Sequence, residues 1–378
     1  MITTVAHNVG DDFVRDGIIH LLGQALGPIK VACIHKHLPV TARKEMSWFA
    51  SPYFKAGVDA CPGVSAERLS NLVDRLPLIP ISDRILQADL VVQSGAPVYW
   101  VNATSNCATN EWYQPLIARR WEKVKGRVPL LNIGAGTCQG YFSNGDEFES
   151  EPTVLRYVRE FFEKCRLTTI RDRLSARVLE LAGVEAIILP CPSLFARDLN
   201  GLENRGAKYV ALNYMPGGGH FELGSSFDPA EWERTFVSFA RELVRTERCV
   251  LVCHDRRELH AARILLPELE VFYSQDHREY MKVYSQASFG VVNRVHAAFA
   301  LASFGRNALV VGNDSRARMA EMIGLQCMFV GDATSTALRD ACARLRQEQP
   351  DFEESVLAQR EMWRRQYIEV LGRALRSP

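Results

Sequence analysis

Phe289-Gly-Val-Val-Asn-Arg-Val-His-Ala-Ala-Phe-Ala-Leu-Ala-Ser-Phe-Gly305 reads as a short apolar strand that hands over to a helix, with Arg294 and His296 at the junction. The first N–H groups of a helix have no internal partner and carry the positive end of its dipole, so the junction favours phosphate or carboxylate. Arg294 adds a two-pronged donor, and His296 a ring that titrates near neutrality. Taken alone, the motif is better explained by a structural salt bridge and a hydrogen-bonded core histidine.

The same alternation of β-branched runs and amphipathic stretches fills the rest of the chain, the pattern of parallel sheets with crossover helices. Strands are expected at residues 209–213, 250–253, 270–273, 289–292, 308–311 and 328–330 in the second half. In the first half they are expected at 2–6, 29–35, 89–93, 128–133, 167–170 and 186–189. The helix after the first strand carries a stripe of Phe13, Val14, Ile18, Leu21, Leu22 and Ala25. Residues 196–208 are polar and glycine-containing and read as a linker. Asp228-Pro229-Ala-Glu231 reads as a helix start with a cap, a proline at the first turn and a capping box. The fold class is therefore α/β, with an N-terminal domain over 1–198, a C-terminal domain over 207–348 and a terminal amphipathic helix over 350–378. That helix puts Phe352, Val356, Trp363, Tyr367, Leu371 and Leu375 on one face and five arginines elsewhere. Docking on the protein body is preferred to lying on a membrane surface.

With 378 residues the chain suits two domains rather than one core. Lys+Arg (45) and Asp+Glu (44) nearly cancel, which argues against a sequence-independent grip on nucleic acid. The ten cysteines are scattered, without Cys-x-x-Cys pairs or zinc-ligand spacing, so no metal site is expected and a reducing compartment is favoured. No segment approaches the ~18 to 20 apolar residues of a membrane span. A cytoplasmic protein is expected, with at most peripheral contact at the inner face of a membrane.

Two further clusters sit at expected strand ends. Asn8-Val-Gly10-Asp11 opens the first helix, where glycine lets backbone N–H groups approach a ligand; alone, it is better explained as a helix cap. Arg171-Asp172-Arg-Leu-Ser175 follows a buried strand, where arginine can grip an anion, or where Asp172 simply caps the next helix. In this order and separation, Asn8-x-Gly10-Asp11, Arg171-Asp172-x-x-Ser175 and Arg294-x-His296-Ala297 resemble the polysaccharide pyruvyl transferase family, over residues 7 to about 325. Ala88-Asp-Leu-Val-Val-Gln-Ser-Gly95, Asn132-Ile-Gly134-Ala-Gly136 and Ala182-Gly-Val184 add to the resemblance.

The resemblance implies two Rossmann-like domains facing across a cleft, as in GT-B glycosyltransferases. It also implies transfer of pyruvate from phosphoenolpyruvate (PEP) to two hydroxyls of a sugar, giving a cyclic ketal, with PEP as donor substrate and no cofactor. The C-terminal domain would be the donor side and the N-terminal domain the acceptor side. By position, Arg171, Arg294 and His296 would be the donor-binding and catalytic set, and Asn8, Gly10 and Asp11 the other wall. Asp172, Ser175, Gly95, Gly134 and Arg316 are further substrate-binding candidates. His254, in Cys253-His-Asp255, is a candidate cleft-lining residue. Three positions depart from the family pattern: Ala96-Pro97 replaces a second glycine, Cys191-Pro192 an Asp-Pro, and Arg316 a lysine.

PEP carries a phosphate and a carboxylate on adjacent atoms, so its site should present converging arginines with few neutralising acids. Arg171 and Arg294 are expected to converge as the cleft closes. His296 is expected to be an imidazolium at neutral pH that protonates the methylene carbon, or equally one that assists phosphate departure. Asp11 is expected to take the proton of the attacking hydroxyl, with Asp172 as an alternative. Trp100, Trp112 and Tyr113 could stack on a sugar, and Gly217-Gly-Gly-His220 could wrap a phosphate. Three other functions stay open. They are a GT-B glycosyltransferase using a nucleotide sugar, with Glu258 as its ribose contact, a non-catalytic binding protein, and a divergent member with another donor or acceptor. The acceptor sugar, its attachment to lipid and the oligomeric state are not set by the sequence.

Overall fold

The computed structural model of the chain describes residues 1–5, 8–51, 58, 65–75, 83–101, 108–219 and 227–376. Seven strands form the first sheet: β1 (Ile2–Thr3), β2 (Ile34–His35), β3 (Val91–Ser94), β4 (Pro97–Tyr99), β5 (Leu130–Thr137), β6 (Leu167–Ile170) and β7 (Ile187–Ile188). Their order is β2-β1-β3-β5-β6-β7, with β4 beside β5. The second sheet contains β8 (Tyr209–Asn213), β9 (Cys249–Val252), β10 (Glu270–Phe272), β11 (Ala287–Val292), β12 (Ala308–Gly312) and β13 (Gln326–Phe329), in the order β10-β9-β8-β11-β12-β13. Neighbouring strands run parallel in both sheets. This is the α/β class expected from the alternating pattern.

The strand orders locate the site before any side chain is considered. In an open parallel sheet, crossovers that leave a starting strand in opposite directions open a crevice above its carboxyl end. The second sheet reverses between β8 and β11, which places Asn213 and the Asn293–Arg294 junction at the crevice. The first sheet reverses between β1 and β3, which places residues 8 to 11 and the Ser94–Pro97 bend at a second one. The two crevices face each other.

Packing between the lobes is apolar. Phe13, Ile18 and Leu21 of the helix Val9–Leu26 share one buried cluster with Phe299 and Leu301 of the helix Val295–Ser303. Around that core run polar ties. His277 Nε2 lies 2.7 Å from Asp16 Oδ2. The Ser315 N–H donates to Gln139 O (2.9 Å), and the Gln139 N–H donates to Ser315 Oγ (3.0 Å), beside an antiparallel bridge between Gly140 and Asp314.

Several boundaries differ from the sequence reading. Of residues 29–35 only Ile34–His35 pair, because the run lies at the sheet edge with Ile29 in solvent. The strand expected from 128 to 133 continues to Thr137. Gly134, at φ +67°, lets it turn under Pro192, whose ring leaves no room for a Cβ there. β4 was not expected, since Pro97 masks it. Asp228 caps its helix by accepting from the Ala230 N–H (2.9 Å), with Pro229 in the first turn as expected.

The terminal helix runs unbroken from Ser335 to Arg376, so the break assumed near residue 350 is absent. Pro350 removes one backbone donor. Next to it, Gln349 holds the chain by donating to Gly305 O (2.7 Å) and accepting from the Asn307 N–H (2.9 Å). The helix packs Leu338 and Leu345 on the second lobe and Tyr367 and Leu371 on the core between the lobes. No helix among the described residues is long and apolar enough to cross a membrane.

Candidate active site

A cavity of about 150 Å³ lies where the crevices meet. The first lobe lines it with Asn8, Gly10, Asp11, Lys36, Pro97 and Arg171, the second with His254, Asn293, Arg294, His296, Asp314 and Arg316. The three clusters read from the sequence are therefore brought together. His296 enters from the first turn of the helix Val295–Ser303. Among the described residues, the Val295 and His296 N–H groups have no protein acceptor, so the positive end of that helix is open to the cavity.

Arg171 leaves the end of β6 and is only 1% exposed. Its Nη1 lies 3.5 Å from His296 Nε2, across the boundary between lobes, and 3.8 Å from Cys191 Sγ. No carboxylate pairs with it among the described residues, and its buried Nε has no partner. The Asp172 carboxylate acts on it only at longer range, and a buried guanidinium without a direct ion pair is costly unless an anion completes it. Gly136 makes its position available, since a Cβ there would lie 2.7 Å from Arg171 Nε. At the family's Asp-Pro position, Cys191 sits against Arg171 without adding a charge.

The other expected arginines are already engaged. Arg294 donates from Nε to Glu258 Oε1 (2.6 Å) and from Nη2 to Asp255 Oδ2 (2.8 Å). Its backbone N–H donates to Asn213 Oδ1 (2.8 Å). It lines the cavity, but the expectation of few neutralising acids is corrected: its fork is filled by the structural salt bridge that the bare motif suggested. Arg316 is held edge-on by Asp314, at 2.8 and 2.7 Å. Burial opposes its charge, and the Asp314 carboxylate outweighs burial and raises its pKa.

His296 is not an imidazolium at neutral pH in this cavity. Burial pushes its pKa down to about 3, and Arg171, Arg316 and Arg294 push the same way, against Asp11. Burial would raise Asp11, but the Lys36 ammonium, Thr4 and His296 outweigh it and hold its carboxyl at about 2. Gly10 is required by close approach, because a Cβ there would overlap the His296 ring. Asn8 caps the helix by accepting from the Gly10 N–H (3.0 Å) while facing the cavity.

Other candidates have structural places. Asp172 Oδ1 accepts from the Ser175 N–H (2.6 Å) and caps the helix Arg173–Leu181; it faces a separate groove with Phe142 and Arg318. Ser175 is fully buried in that helix. Gly95 and Gly134 let adjacent strand ends touch and do not line the cavity. His254 lines the cavity with Nε2 2.6 Å from the Tyr284 hydroxyl, and burial holds its pKa well below the usual value. Glu258 is buried on Arg294, Asn213 and the His254 N–H, which removes it as a ribose contact. Tyr113 is buried against Tyr157 and Phe161, so it cannot stack on a sugar. The Trp100 indole donates to Pro97 O (2.8 Å). The Trp112 side chain, His7 and His220 lie outside the described residues. Gly219 lines the cavity and abuts Asn313.

Lys36 escaped the sequence reading. Its Nζ reaches Asp11 Oδ2 at 3.2 Å from just beyond β2, beside the first crevice. A lysine directly after an expected strand next to the first one was the available signal.

Two α/β lobes with a cavity across facing crevices define the GT-B type of fold. The chain belongs to the polysaccharide pyruvyl transferase family, whose sequence model matches residues 8–315. No curated protein matches. Among solved structures, the Staphylococcus aureus MnaA–UDP co-structure is similar at 11% identity and a TM-score of 0.52, covering 94% of this chain and 89% of that one. The UDP-GlcNAc 2-epimerase of Neisseria meningitidis bound to UDP-GlcNAc gives 11% identity and a TM-score of 0.50, covering 91% of each chain. At such identities the likeness concerns the fold.

Proposed function

We propose that this transferase moves pyruvate from PEP to two hydroxyls of a sugar, forming a ketal. The observation that carries the reading is the buried Arg171 guanidinium, which makes no ion pair among the described residues, 3.5 Å from His296 Nε2 and beside an open helix N-terminus. A small, multiply charged anion suits a cavity lined by Lys36, Arg171, Arg294 and Arg316, and Glu258 is not free to hold a ribose.

Donor entry changes the protonation of the site. The phosphate and carboxylate offset the arginine charges that hold His296 neutral, so the ring takes up a proton as the donor binds. His296 then delivers that proton to the methylene carbon of PEP, which becomes a methyl group. Positive charge develops at the neighbouring carbon, and a sugar hydroxyl adds there. The adduct is an oxonium, a strong acid, so a carboxylate as weakly basic as Asp11 suffices to accept its proton. The second hydroxyl displaces phosphate and closes the ring, its proton leaving on the departing phosphate. His254 and Asn8 complete the walls.

The direct test is mass spectrometry of incubations with PEP and candidate glycans, seeking a product heavier by one pyruvylidene group. With an acceptor in hand, His296→Ala should lower turnover about 100- to 10,000-fold. Near-wild-type turnover would remove the role given to this ring. Thermal-shift screening of PEP against nucleotide sugars separates the glycosyltransferase alternative, since the true donor raises the melting point.

A further inference from the structure

The cavity is lined by four permanent or near-permanent cations, and their existing partners rank how readily each can turn to a ligand. Arg294 has two carboxylates, one of them the buried Glu258; leaving would strand a buried charge. Arg316 is matched edge-on by Asp314 through two short bonds. Among the described residues Arg171 makes no ion pair, and its Nε has no hydrogen-bond partner; the adjacent Asp172 carboxylate acts on it only at longer range. Among the described residues Lys36 has one ion pair, a 3.2 Å contact to Asp11, and its ammonium carries three donors on a flexible stem. The cations available to a ligand are therefore Arg171 and Lys36, both from the first lobe, facing the open helix N-terminus of the second.

We propose that Lys36 is a donor-binding residue: its ammonium turns from Asp11 to an anionic oxygen of the donor and grips it together with Arg171. The inference rests on the donor reading above and moves the anion grip from the second lobe to the first. It also gives Asp11 a second task, holding Lys36 at the cavity wall until the donor arrives. Because Lys36 is the strongest charge keeping the Asp11 carboxyl low, its departure leaves burial opposed only by Thr4, His296 and Arg316. Asp11 then becomes a better proton acceptor when the donor is in place.

Calorimetric titration of PEP and, separately, of inorganic phosphate into wild type, Lys36→Met, Lys36→Arg and the double variant Asp11→Asn/Lys36→Met tests this. The expected result is at least tenfold weaker PEP binding in Lys36→Met, recovery to within about threefold in Lys36→Arg, and no recovery in the double variant. In turnover, KM for PEP should rise more than kcat falls. If Lys36 served only to neutralise Asp11, removing both charges would restore binding, and that result would overturn the proposal. Equal binding by Lys36→Met and wild type would overturn it as well. The double variant leaves no unpaired carboxylate, so it carries the comparison should the single variant fail to fold. A wild type that binds phosphate but not PEP would sink the donor reading alone, and Lys36 would then be judged on phosphate. A wild type that binds neither anion would sink the grip itself.

Discussion

His296 shows how strongly one residue's chemistry depends on its surroundings. From the sequence it is a histidine beside an arginine; in the fold it is a buried ring among three arginines, and burial first, then their charges, turn an expected imidazolium into a neutral group. That shift has a sign that can be measured. The folded pKa, about 3, lies below the ordinary 6.5, so the folded protein binds fewer protons than the unfolded chain between those values. The contribution is complete above pH 6.5 and is lost as pH falls toward 3. Acidification from pH 7 to 5 should therefore cost wild type up to ~2 kcal/mol more than His296→Gln, read from urea unfolding at each pH. His254 shifts in the same direction but is present in both proteins and cancels from the difference. Parallel loss in the two proteins would mean that the ring is not held neutral. The partners of Arg294 teach a related lesson. Asp255 and Glu258 are 39 and 36 positions away, and nothing local in an Arg-x-His announces that its fork is filled.

At the scale of elements, the site is built by strands ending under glycines. Gly136 closes β5 where Arg171 and Asp172 cross it, and an added Cβ would lie 2.7 Å from Arg171 Nε and 3.0 Å from Asp172 Oδ2. Gly136→Ala should thus move the guanidinium while leaving the sheet paired. Activity should fall by ~100-fold, the scale of a misplaced reacting group, with a lowered but still cooperative melt. Retained activity would show that Arg171 tolerates displacement and is not the grip assigned to it. Strands were legible because parallel strands buried on both faces read as apolar runs, and residues 167–170 and 209–213 pair over the spans expected. Edges were less legible. The residues before Ile34 look like a strand but have no sheet face to bury, and β4 hides behind Pro97. The three clusters could be placed at strand ends from sequence. Which of their members would face the cavity could not, since Asp172 and Ser175 differ from Arg171 only in the direction the helix start imposes.

The whole molecule is two lobes tied by a helix, and that helix decides how firmly the crevices face each other. Its far end reaches the first lobe: Arg360 Nε donates to Leu194 O (3.0 Å) and its Nη2 pairs with Asp198. The Tyr367 hydroxyl donates to Pro190 O (2.7 Å), next to the Cys191 that touches Arg171. The linkage from helix to site thus runs through four residues: Tyr367, Pro190, Cys191 and Arg171. The arginines differ in kind. Arg360 is 7% exposed with a fixed partner on the other lobe, whereas Arg365 is 76% exposed in its side chain and pairs within the helix with Glu361. Truncating Arg360 strands the buried Leu194 carbonyl and removes the closer of two arginines from Asp198, whereas truncating Arg365 strands nothing buried. Arg360→Ala should therefore lower unfolding free energy by ~3 kcal/mol, and Arg365→Ala by less than ~0.5 kcal/mol, in paired urea titrations. If the helix instead served mainly to lie on an anionic membrane, the order would reverse in a different assay. Arg365→Ala would then reduce sedimentation with acidic vesicles while both variants kept wild-type stability, and the docked arrangement of the lobes would have to be given up.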